Sequence, residues 1–269
     1  MLKKRIIFTL LYDRGFFMLS RNFRLQKVGD IKWLQKNYNF SQISFSIDEL
    51  IVLDVSRDAY DQEKFREHLR ILTEGCFTPI AAGGGIRTLA HAQTLLRSGA
   101  DKVVVNTLIG ENPQIIQEIA SEFGEQCVIA AVDVKEVEGQ FTVWTDNGTK
   151  KAADNLQPWL ELIAEMPIGE LYLNSIDRDG TGQGYKLELL DSLPETFPIP
   201  VIIAGGAGNH NHLSQGLKID MVDAVATAHL FNFIGDGLVQ SRNCLYEEKF
   251  DLAMWDAKRT NGLRDCLIP

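Results

Sequence analysis

The sequence predicts a single (β/α)₈ barrel, the TIM-barrel fold, built from two similar halves. Three observations predict it. Eight short apolar segments alternate with longer segments of helical period, glycines and carboxylates follow the apolar segments, and several motifs recur at one offset. A length of 269 residues is usual for one such barrel. We therefore expect one domain over residues 1–269, with a divergent tail from about residue 235.

The eight predicted strands are apolar for most of their length and do not alternate with polar residues. This pattern is typical of parallel strands that are covered on both faces. In chain order the strands are predicted at 5–11, 49–55, 79–83, 102–106, 127–134, 170–176, 200–205 and 223–228.

Amphipathic segments between these strands predict helices, most clearly at 61–75, 88–99 and 112–124. Pro113 stands near the start of the third segment, where its missing N–H does no harm. Gly75, Gly99 and Gly124 stand where the three helices should end.

An internal repeat predicts the two halves. Pro79, followed by glycines at 83–85, recurs as Pro200, followed by glycines at 205–206, which is an offset of 121 residues. Asp54 recurs as Asp177, 123 residues later, each beside an arginine and a second aspartate. Several matches at nearly one offset indicate a duplicated unit of four strands.

The composition argues against several classes of function. A formal net charge of −9 disfavours a surface for nucleic acid or an anionic membrane, although a local pocket of N–H groups could still hold a phosphorylated ligand. The four cysteines form no CxxC pair, and His210 and His212 form no HExxH motif, so we expect no metal site and no cofactor. We also expect a cytoplasmic protein with no transmembrane segment.

In this fold, functional side chains lie at the carboxyl ends of the strands. Glycines cluster at these ends, where a Cβ would block the approach of a phosphate to backbone N–H groups. One such cluster alone would more simply be a tight turn, but the paired clusters favour two similar anion sites. The predicted residues are Gly84, Gly85, Asn106 and Thr107 in the first half, and Asp179, Gly180, Thr181, Gly205, Gly206, Ala228 and His229 in the second. His229 could equally cap a helix or pack.

Among the carboxylates, Asp133 is the predicted catalytic residue. It ends an apolar strand without an obvious capping role, and partial burial there can raise a carboxylate toward useful basicity. Asp54, Asp177 and Asp179 could instead be helix caps or partners of nearby arginines. The repeat places Leu11 at the position equivalent to Asp133.

Seven motifs carry a resemblance to a known family. They are KRII at 4–7, DELxxLD at 48–54, GGGIR at 83–87, GADKVxxN at 99–106, ENP at 111–113, DRDGTxxGY at 177–185 and PVIxxGGAGN at 200–209. Over roughly residues 1–235 they resemble the cyclase subunit of imidazole glycerol phosphate synthase (HisF-like), the barrel that closes the imidazole ring in histidine biosynthesis. The resemblance implies a phosphorylated substrate at the carboxyl ends of the strands.

The resemblance also implies a partner and a route for ammonia. In this family a separate HisH-like glutaminase docks at the amino-terminal face of the barrel, beside a gate of four charged residues. The chain matches all four, Arg5, Glu49, Lys102 and Glu170, while Asp101 resembles a contact to the glutaminase. Charges at this face usually serve stability, but charges that point into a barrel core are costly, so an ammonia passage explains them at least as well.

Four positions depart from the family pattern. Leu11 replaces an essential aspartate, Leu19 a lysine of the first loop, Thr9 a cysteine, and His229 a serine. Because leucine can neither donate nor accept a proton, a mechanism with two carboxylates is disabled on this side of the barrel.

Three hypotheses for the function follow. The first is the synthase subunit of a two-component glutamine amidotransferase that adds ammonia to a phosphorylated or nucleotide-linked sugar, similar to paralogues of surface-polysaccharide and nonulosonate gene sets. The second is a histidine-pathway cyclase that tolerates Leu11, and the third is a non-catalytic scaffold that activates a glutaminase. The apolar residues of the tail, Phe250, Leu252, Met254 and Trp255, pack on the barrel or form a dimer contact, and the sequence does not choose.

Overall fold

The computed structural model describes residues 3–38, 43, 45–57 and 60–254. Eight parallel strands form a closed barrel, so the predicted (β/α)₈ fold is confirmed. These strands are β1 (Arg5–Asp13), β4 (Glu49–Asp54), β5 (Ile80–Gly83), β6 (Lys102–Val105), β7 (Val128–Val137), β10 (Glu170–Ser175), β11 (Val201–Ala204) and β12 (Val222–Thr227). The barrel closes because β1 pairs in parallel with both β4 and β12, with Arg5 opposite Ala224 in the second pairing.

Side chains of the barrel strands alternate between the barrel interior and the layer beneath the helices. The interior cluster contains small and branched residues and one tyrosine: Ile7, Ile51, Ala81, Val104, Ile129, Ala131, Tyr172, Ile202, Ala204, Ala224 and Ala226. Their neighbours along the strands, such as Phe8 and Leu50, belong to the larger core between sheet and helices. The apolar runs of the sequence are therefore explained by burial on both faces.

The helices lie between the strands, and all three predicted ones are present. Those with α-helical geometry are α1 (Ile31–Asn37), α2 (Gln62–Gly75), α3 (Leu89–Arg97), α4 (Leu108–Glu111), α5 (Pro113–Phe123), α6 (Leu156–Ala164), α7 (His210–Leu217) and α8 (Gly237–Glu247). Asp61 and Thr88 cap α2 and α3 by accepting hydrogen bonds from backbone N–H groups three residues later. Gly124 follows α5 with a φ of 90°, whereas Gly75 is itself the last residue of α2.

Two β-hairpins at the carboxyl-terminal end of the barrel were not predicted. Strands β1 and β7 run on to Asp13 and Val137, past their predicted ends, and each pairs with the first strand of an antiparallel hairpin. The hairpin strands are β2 (Phe16–Arg21) and β3 (Arg24–Asp30) in the first half, and β8 (Gln140–Thr145) and β9 (Lys150–Ala153) in the second. Because these strands are partly exposed and mix polar with apolar residues, they lack the buried-strand pattern. Their equivalent positions extend the internal repeat.

The end of the described chain returns to the start of β1. Leu252 forms a parallel bridge with Lys4 and is 1% exposed, and Phe250 packs against the core. This part of the tail therefore packs on the barrel, while Met254 is 83% exposed. Trp255 lies outside the described residues. No helix among the described residues is long and apolar enough to cross a membrane.

Candidate active site

The carboxyl ends of the barrel strands surround a cavity of about 160 Å³. It is lined by Asp133 and by all but one of the predicted anion-site residues: Gly84, Gly85, Asn106, Thr107, Asp179, Gly180, Gly205, Gly206, Ala228 and His229. The exception is Thr181, whose hydroxyl donates to the carbonyl of Arg178, 2.8 Å away, within the turn after β10. The structure thus brings the two predicted anion sites to one cavity.

Asp133 is held by two asparagine amides. Its Oδ1 accepts a hydrogen bond from Nδ2 of Asn174 at 2.8 Å, and its Oδ2 accepts one from Nδ2 of Asn106 at 3.2 Å. Burial raises the pKa of Asp133 to about 7, although the hydrogen bond from Asn174 opposes the shift. A carboxyl with this pKa can both take and give a proton near neutral pH.

Asn174 was not predicted from the sequence. It stands directly opposite Asp133 in the pairing of β10 with β7, so the parallel register places the two side chains together. In the sequence, Asn174 lies near the end of a predicted strand, two residues before Ile176. Without the pairing register of the two strands, this position does not show which side chain Asn174 contacts.

The first predicted anion site combines glycines of positive φ with an aromatic ring. Gly84 and Gly85 have φ values of 110° and 62°, and a Cβ on Gly84 would lie 2.1 Å from the carbonyl oxygen of Asp54. A Cβ on Gly85 would lie 3.0 Å from the ring of Tyr60. The positive φ values favour glycine at both positions, and both residues line the cavity. Arg87 also lines this wall.

In the second predicted anion site, Gly205 and Gly206 have φ values of 86° and 106°. Nδ1 of His229 accepts a hydrogen bond from the backbone N–H of Asn232 at 3.3 Å, so the neutral ring carries its proton on Nε2. Burial lowers the pKa of His229, which favours this neutral form. His229 lines the cavity and can offer its Nε2–H as a donor there.

Asp179 contacts the first hairpin. Its carboxylate accepts hydrogen bonds from the Ser20 hydroxyl and from the Phe23 backbone N–H, the latter at 3.0 Å. The backbone carbonyl of Asp179 accepts a further bond from the N–H of Asn22. Asp179 thus lines the cavity and at the same time fixes the hairpin that covers one side of it.

One side of the cavity is apolar. Leu11, Leu19, Leu25 and Leu53 line it, and Leu11 stands opposite Leu53 in the pairing of β1 with β4. Leu11 and Asp133 occupy equivalent positions in the two halves, so at this position one half presents a hydrocarbon side chain and the other a carboxylate.

The four charged residues predicted at the amino-terminal end form a closed ring. Nη1 of Arg5 lies 3.0 Å from Glu49 and 2.9 Å from Glu170, while Nζ of Lys102 lies 3.0 Å from Glu49 and 2.9 Å from Glu170. Each cation thus contacts both carboxylates, and the Glu49 side chain is only 3% exposed. The ring closes the bottom of the barrel interior.

Asp101 lies at the same end and joins two strands. Its Oδ2 accepts a hydrogen bond from the backbone N–H of Ile80 at 2.8 Å, and Asp223 makes the equivalent bond to Val201 in the second half at 2.9 Å. Asp101 therefore fixes the start of β5, and as an exposed residue it remains accessible to a partner.

Replacing Asp133 by asparagine should stabilise the protein in a pH-dependent way. Because the folded-state pKa is raised to about 7 from 3.8, Asp133 destabilises the fold fully above pH 7 and not at all below pH 3.8. Asparagine mimics the protonated carboxyl, so the difference in unfolding free energy between Asp133→Asn and the wild type should grow by about 2–4 kcal/mol from pH 4 to pH 8. Urea denaturation at several pH values measures it, and a constant difference would contradict the prediction.

Comparison with known proteins identifies similar chains. A family model described as histidine biosynthesis protein matches residues 26–235. A putative imidazole glycerol phosphate synthase subunit hisF2 from Parasynechococcus marenigrum (strain WH8102) is 46% identical over 256 residues, which cover 95% of each chain. The imidazole glycerol phosphate synthase subunit HisF of Chlorobaculum tepidum is 37% identical over 248 residues, covering 92% of this chain and 97% of the relative. That of Exiguobacterium sp. is 36% identical over 233 residues, covering 86% and 89%.

Proposed function

The chain belongs to the histidine biosynthesis family that includes the HisF subunits of imidazole glycerol phosphate synthase, and from this we propose that it is the synthase subunit of a two-component glutamine amidotransferase. A separate HisH-like glutaminase docks at the amino-terminal end of the barrel and supplies ammonia. The ammonia crosses the interior and is added to a phosphorylated or nucleotide-linked sugar, of the kind used for surface polysaccharides.

The observation that carries this proposal is the closed charge ring below a cavity in which Leu11 stands at the position equivalent to Asp133. Burying four charges in a barrel is costly, and a stable barrel does not need them, so their presence supports a passage that opens there. Leu11 removes the second carboxylate that acid–base closure of an imidazole ring would use. Ammonia delivery is therefore favoured over ring closure.

The proposed chemistry needs one carboxylate. The nitrogen lone pair of ammonia attacks an electrophilic carbon of the activated sugar, and the leaving group departs with the electrons of the bond that breaks. Asp133 then takes one proton from the new ammonium nitrogen, and its pKa of about 7 suits this transfer. The asparagines that hold both carboxylate oxygens keep the group oriented toward the cavity.

The two glycine sites would hold the phosphate groups of the sugar. Their backbone N–H groups, with the Nε2–H of His229 and the guanidinium of Arg87 at the cavity wall, supply donors without a large positive surface. This arrangement is compatible with the net charge of −9.

An amination assay tests the proposal. Purified protein is incubated with ammonium chloride and a panel of nucleotide sugars and sugar phosphates, and the products are analysed by mass spectrometry for exchange of a leaving group for nitrogen. We expect a product with at least one donor and a rate about 10²–10⁴-fold lower for Asp133→Asn. Absence of product from every candidate would contradict the proposal and favour the non-catalytic scaffold, and a product formed equally well by Asp133→Asn would exclude Asp133 as the acid–base group.

A second candidate, the histidine-pathway cyclase, is favoured by the names of the relatives at 36–37% identity. It predicts turnover of the ribosyl aminoimidazole substrate with ammonium chloride. We expect the wild type to be inactive in that assay, because Leu11 cannot transfer a proton. Wild-type turnover would favour the cyclase, and activity that appears only in Leu11→Asp would show that this one side chain separates the two functions.

A further inference from the structure

Strand β10 places three polar side chains in succession along the barrel interior. Glu170 belongs to the charge ring at the bottom, and Asn174 holds Asp133 at the top. Tyr172 lies between them, two residues from each, which is about 7 Å along a strand. Tyr172 thus occupies the middle of the stretch that separates the ring from the cavity.

The hydroxyl of Tyr172 contacts one other hydroxyl, that of Thr9. The two oxygen atoms are 3.2 Å apart, and the residues are 6% and 1% exposed. On the side of the barrel interior their neighbours are alanine, valine and isoleucine side chains, and on the other side lies the cavity that contains Asp133. Burial raises the pKa of Tyr172, so the phenol stays protonated and able to donate.

This pair has unused hydrogen-bonding capacity. Two hydroxyls carry two donors and four acceptor lone pairs, and their mutual bond uses one of each. Within the part of the chain that the structure describes, neither hydroxyl makes a second hydrogen bond. One buried O–H is left without an acceptor, which is unfavourable unless a small guest supplies one.

We propose that Thr9 and Tyr172 form a binding site for one ammonia molecule on its way from the charge ring to Asp133. This site rests on the proposed function and adds to it a defined position within the barrel at which ammonia binds during transfer. The lone pair of ammonia accepts the spare O–H, and its own N–H groups donate to the hydroxyl oxygens. Ammonium is rejected, because an apolar interior cannot offset the loss of its hydration.

The small residues at the same level leave room for such a guest. Ala131, Ala204 and Ala226 belong to the interior cluster, and Ala131 and Ala226 also line the cavity above it, as do Thr9 and Tyr172. The pair therefore lies at the floor of the cavity, where a molecule released from it would next meet Asp133.

A competition between two nitrogen sources tests the proposal in the complex with the glutaminase. The partner receives glutamine labelled with ¹⁵N in the amide, unlabelled ammonium chloride is present in solution, and the ¹⁵N to ¹⁴N ratio of the aminated sugar is measured. Label that travels through the barrel must pass the pair, whereas ammonium from solution enters at the cavity. We expect the ratio to fall at least fivefold in both Tyr172→Phe and Thr9→Val.

Tyr185→Phe is the matched control. Tyr185 is also a buried tyrosine, but its hydroxyl donates to the carbonyl of Ala226 at 3.0 Å, and the residue lies in the core outside the barrel interior. The ratio should stay at the wild-type value in this variant. Because the ratio is internal to each reaction, a loss of activity that affects both nitrogen sources equally does not change it.

The outcomes separate this site from the function on which it rests. If both Tyr172→Phe and Thr9→Val give product with the wild-type ¹⁵N to ¹⁴N ratio, the ammonia site is overturned and the proposed function is unaffected. A wild type that incorporates only ¹⁴N, or no nitrogen, overturns both the site and delivery through the barrel.

Discussion

Replacing Arg242 by methionine is expected to lower the free energy of unfolding by about 3–5 kcal/mol. The Arg242 side chain is 2% exposed, and its two terminal nitrogens lie 2.8 and 2.9 Å from the two carboxylate oxygens of Asp48. Its Nε donates to the hydroxyl of Tyr246, and Nη2 donates to the carbonyl of Ala253. Methionine retains much of the packing but leaves the Asp48 carboxylate buried without its cation.

Urea denaturation measures this effect as a shift of the midpoint at an unchanged slope. The control is Lys218→Met, because the ion pair of Lys218 with Glu248 is exposed and should contribute less than about 1 kcal/mol. Adding Asp48→Asn to Arg242→Met removes the buried carboxylate charge that has lost its cation. The double variant should therefore recover part of the lost free energy of unfolding. A loss below about 1 kcal/mol in Arg242→Met would show that the pair is no more stabilising than a surface pair.

Replacing Gly180 by alanine is expected to destabilise the protein by about 2–5 kcal/mol. Gly180 has a φ of 66°, which costs a residue with a Cβ about 1–2 kcal/mol. The new Cβ would also lie 1.8 Å from the carbonyl oxygen of Ser20, which is backbone and cannot rotate away. The first hairpin must therefore move, at a further cost of about 1–3 kcal/mol.

Gly139→Ala separates the two contributions. Gly139 has a φ of 80° in the turn between β7 and β8, but nothing lies within 4 Å of the position that a Cβ would take there, so only the conformational cost applies. We expect a loss of about 1–2 kcal/mol for that variant. Hydrogen exchange should also speed up in β2 for Gly180→Ala only. Equal losses in the two variants would mean that the hairpin is not held against the turn after β10.

The sequence predicts the barrel well because burial dominates its strands. Residues such as Ile51 and Val52 face the interior and the helix layer in turn, and both environments demand apolar side chains. The hairpins were not predicted because their strands lack the apolar pattern of buried strands. Strand β3, for example, is partly exposed on both faces and contains Arg24, Gln26 and Lys27. Their strand conformation follows from pairing with β2, which is a tertiary contact.

For the site, the residue types were predictable but their partners were not. Asp133 and the four ring charges stand at the ends of predicted strands, where the fold brings side chains together. The hydrogen bonds of Asn174 with Asp133 and of Tyr172 with Thr9 were not predictable. They depend on the stagger between strands that are far apart in the sequence. Thr181 was assigned to the anion site from its neighbourhood, and the turn directs its hydroxyl to Arg178 instead.

The pairing of β1 with β12 has a consequence for biosynthesis of the chain. Ala224 follows its partner Arg5 by 219 residues, so at about 5–20 residues per second the ribosome needs roughly 10–40 s to deliver the closing strand. Throughout that interval the edge of β1 that will meet β12 has no native partner. An unpaired apolar strand edge can pair with strands of other nascent chains. The risk of aggregation is therefore greatest during translation, before β12 has closed the barrel.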